Sequence, residues 1–294
     1  MDLQRIEQPA PLPPRAQDGN KGTFGRLLIV GGNDEMIGAP VLAGMAALRT
    51  GAGLVQIALP RSVLAAALSI CPELIGMGLT GNASQKLIET ARKADAMVVG
   101  PGLGQSAGAR KRLLALTALE KPAVVDADGL NLLAAMKRWP ASQFKARAVL
   151  TPHPGEMRRL AALLPGNEGG AWNEPKTPIP SDESSRIEVA MHAARRFEQV
   201  VVLKGHRTIV TDGDRVYINQ TGDSTLAKAG TGDILSGVLG CLLAQRMDPF
   251  EAGTLAVWLH GRAGELAGEA YGKRSALGRE VIDALPQAIA QHAT

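Results

Sequence analysis

Cysteine is almost missing from this chain of 294 residues, which has 2 cysteines in total. Cys71 and Cys241 are far apart in the sequence, and both stand in apolar surroundings. A disulfide framework or a cysteine-based metal site needs more thiols at closer spacing. This scarcity favours a reducing compartment, and we expect a cytoplasmic protein.

Sequence segments typical of membrane insertion or of nucleic-acid binding are absent as well. The first 25 residues contain several prolines among polar residues and no apolar stretch suited to a signal peptide or a membrane span. The 32 basic and 28 acidic residues are spread along the chain and give a net charge of +4, without the basic block typical of a nucleic-acid surface. We therefore expect binding to neither a membrane nor nucleic acid. The small positive net charge fits a mildly cationic pocket for an anionic small molecule.

The chain is long enough for one large domain, because its hydrophobic content of 45% can form a sizeable core. We predict an extended N-terminal arm over 1–21 and a single domain over 22–294. Residues 165–184 are rich in glycine, proline and polar groups. They are predicted to form a flexible insertion, either a disordered surface loop or a lid.

Short apolar segments alternate with helical patterns, which predicts an α/β fold with a mostly parallel sheet and helices on both faces. The segments are almost entirely apolar, as expected of strands covered on both sides. Because parallel strands end at one edge, the loops that follow them are predicted to share one rim. The predicted strands are 26–30, 54–59, 96–100, 122–126, 148–151 and 200–203, followed by an antiparallel hairpin over 207–218 and by helices over 231–245, from Asp248-Pro249 and over 278–290.

A glycine turn precedes the apolar helix predicted in AKAGTGDILSGVLGCLLAQ, with Gly230, Thr231, Gly232 and Asp233 at its start. The free N–H groups of a helix N-terminus bind anions, and glycine lets a phosphate approach the backbone. The alternative is that Asp233 only caps the helix. If an anion binds there, Asp233 must act on a neutral group beside it, such as a hydroxyl. That arrangement suits phosphoryl transfer to an alcohol.

Two further segments bring chemical groups to the same rim. The chain has no Gly-x-x-x-x-Gly-Lys-Ser/Thr motif, so a nucleotide needs another cradle, and LKGHRTIV places Lys204 at a strand end before a glycine. The alternative is a solvated lysine. In TPHPGEM, two prolines hold His153 extended at a strand end, which makes this histidine a candidate for binding. Glu156 either complements the helix dipole or reaches Mg²⁺ through water.

The segments VVGPGLGQS and VVDADGLNLL offer a competing interpretation. A glycine loop after a strand, with Asp126 at the tip of the next strand, resembles a dinucleotide-binding fingerprint. The spacing of Gly100, Gly102 and Gly104 does not match that fingerprint, and Pro101 has no N–H for a pyrophosphate. An oxidoreductase therefore ranks below a kinase-like site, and Asp126 stays a candidate for ligand contact.

A helix of small residues is predicted within 31–55, after the first strand. Its glycines and alanines indicate close packing against a neighbouring element. The lack of bulk at Gly38 and Ala39 also leaves room for a ligand at the start of the helix.

Taken in order, these segments resemble the ADP/ATP-dependent NAD(P)H-hydrate dehydratase family of the ribokinase-like superfamily. The resemblance covers roughly residues 22–290 and rests on LLIVGGND, GAPVLAGMAALRTGAGLV, VVGPGLG, VVDADGLNLL, LTPHPGEM, LKGHRTIV and AGTGDILSGVL. It implies a ribokinase-like three-layer fold. It also implies repair of the S-epimer of hydrated NADH or NADPH. ADP or ATP, with Mg²⁺, would phosphorylate the added hydroxyl, phosphate would leave, and ADP is the expected donor.

The resemblance also implies roles for residues of the rim. Asp233 would contact the reacting hydroxyl as the catalytic base. The hydrate site would be lined by Ala39, by a glycine of the GPGLG loop (Gly102 or Gly104) and by His153. The nucleotide would be held by Lys204, Gly205, His206, Arg207, Thr208, Gly230, Thr231 and Gly232.

We also expect a functional partner enzyme and a homo-oligomeric state. Many relatives carry an N-terminal epimerase domain, which the leading residues are too few to encode, so a separate epimerase is expected to supply the other epimer. A homo-oligomer, a tetramer, is expected too. One rival is a small-alcohol kinase of the hydroxyethylthiazole-kinase type, and another is a non-catalytic nucleotide-binding module. The sequence leaves open the choice of ADP or ATP and of NADH or NADPH hydrate.

Overall fold

The computed structural model describes residues 3–80, 85–136, 138–164 and 178–292. Residues 165–177 of the predicted insertion lie outside this part of the chain. The helix that follows begins at Glu183, so the last two residues of the predicted loop are helical. Within the described ranges, no helix is both long enough and apolar enough to cross a lipid bilayer.

One central sheet of 10 strands organises the molecule. In chain order its strands are β1 (Gln4–Ile6), β2 (Arg26–Val30), β3 (Leu54–Pro60), β4 (Ile75–Leu79), β5 (Ala96–Val99), β6 (Pro122–Val125), β7 (Arg147–Leu150), β8 (Val200–Leu203), β9 (Ile209–Thr211) and β10 (Arg215–Ile218). Across the sheet the order is β1-β10-β9-β8-β7-β6-β5-β2-β3-β4. Every pairing is parallel except the two that β9 makes with β8 and β10.

Helices cover both faces of this sheet. They are α1 (Gly38–Arg49), α2 (Leu64–Ile70), α3 (Gln85–Lys93), α4 (Ala107–Thr117), α5 (Asp128–Ala134), α6 (Pro154–Ala161), α7 (Glu183–Phe197), α8 (Thr231–Ala244), α9 (Pro249–Tyr271) and α10 (Gly278–His292). Alternate residues of a strand point to opposite faces. Leu27 and Ile29 of β2 therefore join the core with α1, α8, α9 and α10, whereas Leu28 and Val30 join the core with α3 to α7.

The predicted elements agree closely with those observed. Six predicted strands correspond to β2, β3, β5, β6, β7 and β8, and the predicted hairpin is formed by β9 and β10. The three C-terminal helices were predicted to start at or beside the residues where α8, α9 and α10 begin. The α/β class with a mostly parallel sheet and two helical layers is confirmed.

Two helices position the rim where the parallel strands end. The small residues of α1 pack closely on α8, because a Cβ at Gly237 would lie 2.0 Å from the carbonyl oxygen of Ala43. This contact fixes the start of α1 near the start of α8, and a Cβ at Gly230 would lie 2.9 Å from Leu42 Cδ1. The prediction of close packing for this helix is confirmed.

Candidate active site

A buried lysine–carboxylate pair lies where β6 and β8 end. Asp126, 1% exposed, follows β6, and Lys204 follows β8 with its Nζ 2.7 Å from Asp126 Oδ1. Ser236 Oγ donates to Asp126 Oδ2 at 2.7 Å. Burial opposes the charge on Asp126, but the Lys204 ammonium and these hydrogen bonds outweigh it and keep the pKa of Asp126 below its usual value. The pair is therefore ionised and held by three elements.

His153 and Glu156 form a reciprocal cap at the start of α6. The N–H of Gly155 donates to His153 Nδ1 at 3.0 Å, and the N–H of His153 donates to Glu156 Oε2 at 2.8 Å. Glu156 Oε2 also lies 3.8 Å from Lys204 Nζ. Burial lowers the pKa of His153, and the Lys204 and Arg159 charges lower it further against the opposing effect of Glu156. His153 is therefore a neutral, half-exposed group on the rim at pH 7.

The start of α8 is an open cradle of backbone N–H groups. Gly230 is the N-cap residue, with a φ of +91° that favours glycine and without a side-chain cap. Thr231 is the first helical residue, and its Oγ1 donates to the carbonyl oxygens of Leu226 and Lys228 at 2.7 and 2.8 Å. Asp233 is in the first turn, so the alternative that it caps the helix is wrong.

Asp233 has a carboxyl group that titrates near neutral pH. Burial, followed by the negative charge of Asp126, raises its pKa to about 7, and the Lys204 ammonium acts in the opposite direction. Gly232 lies beside this lysine, because a Cβ at Gly232 would be 3.5 Å from Lys204 Nζ. A carboxyl group with this pKa is suited to accept a proton at physiological pH.

The GPGLG loop after β5 lies against the start of α1. Gly102 has a φ of +62°, and a Cβ there would lie 2.7 Å from the carbonyl oxygen of Met36 and 3.2 Å from Ala39 Cβ. The N–H of Gly104 donates to Asp128 Oδ2 at 2.8 Å, which ties the loop to the first residue of α5. A Cβ at Gly38 would meet no atom within 4 Å, so the start of α1 is open.

The loop that follows β8 is held from behind by an arginine. Arg186 of α7, 8% exposed, donates through Nη1 to the carbonyl oxygen of His206 at 2.6 Å and to that of Arg207 at 3.4 Å. Thr208 Oγ1 donates to the carbonyl oxygen of Gly205 at 2.9 Å, which closes the turn. His206 is exposed on this loop.

Five of the predicted site residues form one connected group on the rim. Asp233, Gly232, Lys204, Glu156 and His153 are linked by the distances and charge effects described above. A second group, Ala39 with Gly102, lies at the start of α1. The Lys204 ammonium is bound to Asp126, so its contact with a nucleotide phosphate stays a prediction.

Direct metal ligands are not grouped in the described part of the chain, where no three His, Cys, Asp or Glu side chains form a set able to hold an ion. Glu156 already accepts a hydrogen bond from His153 and faces Lys204. Its contact with Mg²⁺ through water stays a prediction.

Ser236 and Arg186 were not found by sequence reasoning. Ser236 stands three residues after Asp233, on the same face of α8, and this spacing was the available signal. Arg186 is near the start of α7, and no local pattern distinguishes it from Arg195 and Arg196 in the last turn of the same helix.

Comparison with known proteins identifies a family for this chain. The family model for NAD(P)H-hydrate dehydratase matches residues 27–287. The bifunctional NAD(P)H-hydrate repair enzyme Nnr of Moorella thermoacetica is 37% identical over 285 residues, which cover 94% of this chain and 51% of that protein. The ADP-dependent (S)-NAD(P)H-hydrate dehydratase of Neisseria meningitidis is 38% identical over 268 residues, which cover 88% of this chain and 82% of that protein.

Solved structures similar to this chain include a member of the same family. An ADP/ATP-dependent NAD(P)H-hydrate dehydratase from Bacillus subtilis, co-crystallised with ATP/Mg²⁺, matches with a TM-score of 0.78 and 31% identity, covering 96% of this chain and 95% of that one. The ribokinase of Arabidopsis thaliana, with a TM-score of 0.54 and 10% identity, shows the fold alone. A hydroxyethylthiazole kinase from Pyrococcus horikoshii, with a TM-score of 0.57 and 21% identity, does the same.

The predicted ribokinase-like three-layer fold is confirmed by these structures. The chain spans about half the length of the bifunctional relatives that it matches, with 51% and 50% of the first two covered. The family model covers most of the chain, and the resemblance noted in the sequence leads to the same group. The chain belongs to the NAD(P)H-hydrate dehydratase family.

Proposed function

We propose that this chain catalyses the nucleotide-dependent dehydration of the S-epimer of NADH or NADPH hydrate and so restores NAD(P)H. The observation that carries the proposal is the position of Asp233 in the first turn of α8, beside the uncapped N-terminus of this helix. The pKa of its carboxyl group there is about 7. The names of the Neisseria and Bacillus relatives support the reaction class. ADP is the expected donor, with ATP as the alternative.

In the proposed reaction, Asp233 accepts the proton of the ring hydroxyl as this oxygen becomes a nucleophile. The nucleotide supplies the phosphoryl group that converts the hydroxyl into a leaving group. The C–O bond then breaks with release of phosphate, and loss of a proton from the adjacent ring carbon forms the C=C bond of NAD(P)H. The N–H groups at the start of α8 hold the negative charge that develops during this transfer. Lys204 limits the rise in the pKa of Asp233 and keeps part of this carboxyl ionised.

The residues of the rim fit a phosphate-bearing ligand. The N-cap Gly230 leaves the first N–H groups of α8 without a side-chain cap, and Gly232 has no side chain to cover them. The loop from Lys204 to Thr208 and the turn from Gly230 to Gly232 are the proposed nucleotide contacts. Ala39, Gly102 or Gly104, and His153 are the proposed contacts of the hydrate. Mg²⁺ would accompany the nucleotide, with Glu156 contacting it through water.

The relatives named bifunctional repair enzymes support a functional link to an epimerase that interconverts the two hydrates. We expect the protein to work in the cytoplasm and to form a homo-oligomer, for which a tetramer is the predicted state.

The reaction is tested with NADH hydrate or NADPH hydrate, ADP or ATP, and Mg²⁺. Recovery of dihydronicotinamide absorbance with release of inorganic phosphate is the expected result. A stable phosphate ester without this recovery would instead identify a small-alcohol kinase. No recovery with either nucleotide contradicts the proposal.

The role of Asp233 is tested by Asp233→Asn, which removes the proton acceptor while keeping the size of the side chain. We expect turnover to fall by about 100-fold or more while nucleotide binding is retained. Asp18→Asn, a matched change at an exposed position of the N-terminal arm, should leave turnover unchanged. Unchanged turnover in Asp233→Asn would contradict its role as the base. Nucleotide binding by wild type without any turnover would favour the non-catalytic nucleotide-binding module.

A further inference from the structure

A basic groove of about 540 Å³ lies between α5 and α6, next to the rim. Its polar lining consists of Gln105, Asn131, Arg158 and Arg159, and alanines of the two helices form the rest. We call this surface the α5–α6 groove. None of its four polar residues has a role in the proposed transfer of a phosphoryl group to the hydroxyl.

Both walls of the α5–α6 groove belong to segments that also carry proposed contacts of the hydrate. Gln105 follows Gly104, whose N–H donates to the first residue of α5. Arg159 belongs to α6, the helix that His153 caps. With a rise of 1.5 Å per residue, Arg159 lies about 9 Å further along this helix than His153. A ligand that contacts Gly104 and His153 can therefore extend directly into the groove.

The two arginines present a positive charge that the described residues do not neutralise. Arg159 Nε donates to Asn131 Oδ1 at 2.8 Å, a bond that joins the two walls and fixes the guanidinium. This uses one of the five N–H donors of the group and leaves its Nη atoms for another acceptor. In the described ranges, neither Arg158 nor Arg159 forms an ion pair with a carboxylate. Paired N–H donors of arginine suit the oxygens of a phosphate.

The length of the proposed substrate indicates which part of it would reach the α5–α6 groove, and this inference rests on the proposed function. A hydrated dinucleotide with its ring hydroxyl at Asp233 must place its adenosine end elsewhere on the rim. NADPH hydrate carries a phosphate on the 2′-oxygen of that adenosine, whereas NADH hydrate carries a hydroxyl. We propose that the α5–α6 groove binds the adenosine ribose and that Arg158 and Arg159 bind its 2′-phosphate. The chain thereby selects NADPH hydrate over NADH hydrate.

The test compares wild type, Arg158→Gln and the double variant Arg158→Gln/Arg159→Gln. Dissociation constants for NADPH and NADH, the reaction products, are measured by calorimetry, and kcat/KM is measured for both hydrates. Arg158→Gln leaves the bond between Arg159 and Asn131 in place, so it separates charge from groove structure. Arg196→Gln removes the same charge from an exposed position on α7 and is the matched control.

We expect wild type to bind NADPH about tenfold more tightly than NADH, a difference of about 1.4 kcal/mol. The double variant should lose this preference, through weaker binding of NADPH with little change for NADH, and kcat should hardly change. Added salt should weaken NADPH binding to wild type more than to the double variant, because the contact is between exposed charges. Arg196→Gln should behave as wild type.

The outcomes separate the groove from the reaction. Equal losses for NADPH and NADH would place the arginines on the diphosphate bridge and overturn the assignment to the 2′-phosphate. Unchanged binding in the double variant would overturn it as well. If NADPH selectivity depends on the arginines but neither hydrate is converted with ADP or ATP, the groove assignment stands and the proposed function fails.

Discussion

Asp233 makes both turnover and stability depend on pH in a defined direction. Its carboxylate accepts a proton only when ionised, so with a pKa of about 7 we expect kcat/KM to fall as the pH decreases below neutrality. The measurement is a pH–rate profile of hydrate conversion, with stable protein at each pH. A profile that stays flat down to pH values near the usual pKa of an aspartate would contradict the assignment of Asp233 as the base.

The same shift affects folding. Because the pKa of Asp233 is higher in the folded protein than the ordinary aspartate value of 3.8, the folded state binds this proton more tightly than the unfolded chain does. The contribution of Asp233 to stability therefore decreases as the pH rises from about 4 to about 7 and is constant above. We expect the Tm of Asp233→Asn relative to wild type to rise across this range. Asp18→Asn should show no such trend.

In the buried Asp126–Lys204 pair, each charge is stabilised by the other. Lys204→Met leaves the Asp126 carboxylate buried without its cation, and we expect a loss of about 3 kcal/mol in the free energy of unfolding. Urea denaturation measures this loss. The double variant Asp126→Leu/Lys204→Met removes both charges and should recover part of the stability. A double variant that is less stable than Lys204→Met alone would contradict this account of the pair.

Individual contacts of this kind set the limit of sequence reasoning. The sequence indicated that Asp126 stands at a strand tip, but its partner Lys204 is 78 residues away, so the ion pair could not be predicted from local patterns. The reciprocal cap of His153 and Glu156 lies within four residues, yet histidine is not among the usual capping residues. Asp233 was identified because its glycines, its helix and its charge lie in one short segment.

At the scale of elements, the contact between α7 and the loop after β8 sets the shape of the proposed nucleotide site. Arg186→Gln removes donors from the carbonyl oxygens of His206 and Arg207, and we expect KM for ADP to rise about tenfold with a smaller change in kcat. Arg195→Gln, at an exposed position of the same helix, is the control. A lower Tm in Arg186→Gln without a change in KM for ADP would show that Arg186 stabilises the fold and does not shape the nucleotide site.

Elements with strong local patterns were predicted and elements without them were missed. The apolar runs of β5, β6 and β8 are typical of strands in the middle of a sheet that is covered on both faces. In contrast, β4 contains two glycines, which are poor strand formers, and β1 has three residues, two of them polar. β1 pairs with β10, so this part of the N-terminal arm is an edge strand whose position depends on a partner more than 200 residues later.

For the whole molecule, the open rim predicts that ligands stabilise the fold. A ligand that binds only the folded chain adds RT ln(1 + [L]/Kd), or about 2.7 kcal/mol at a ligand concentration of 100 Kd. For a protein of this size we expect ADP with Mg²⁺ to raise the Tm by about 5–10 °C at such a concentration. Differential scanning calorimetry over a range of ADP concentrations measures this shift.

The same experiment with Asp233→Asn distinguishes binding from chemistry. The proposed nucleotide contacts are backbone N–H groups and the loop after β8, so Asp233→Asn should show the same increase in Tm with ADP as wild type. Adenosine, which has no phosphate for the N–H groups at the start of α8, should give a smaller increase in both proteins. If Asp233→Asn no longer responds to ADP, its carboxyl group is needed to hold the nucleotide or its metal, and the assignment of Asp233 as a base acting on the hydroxyl of the hydrate fails.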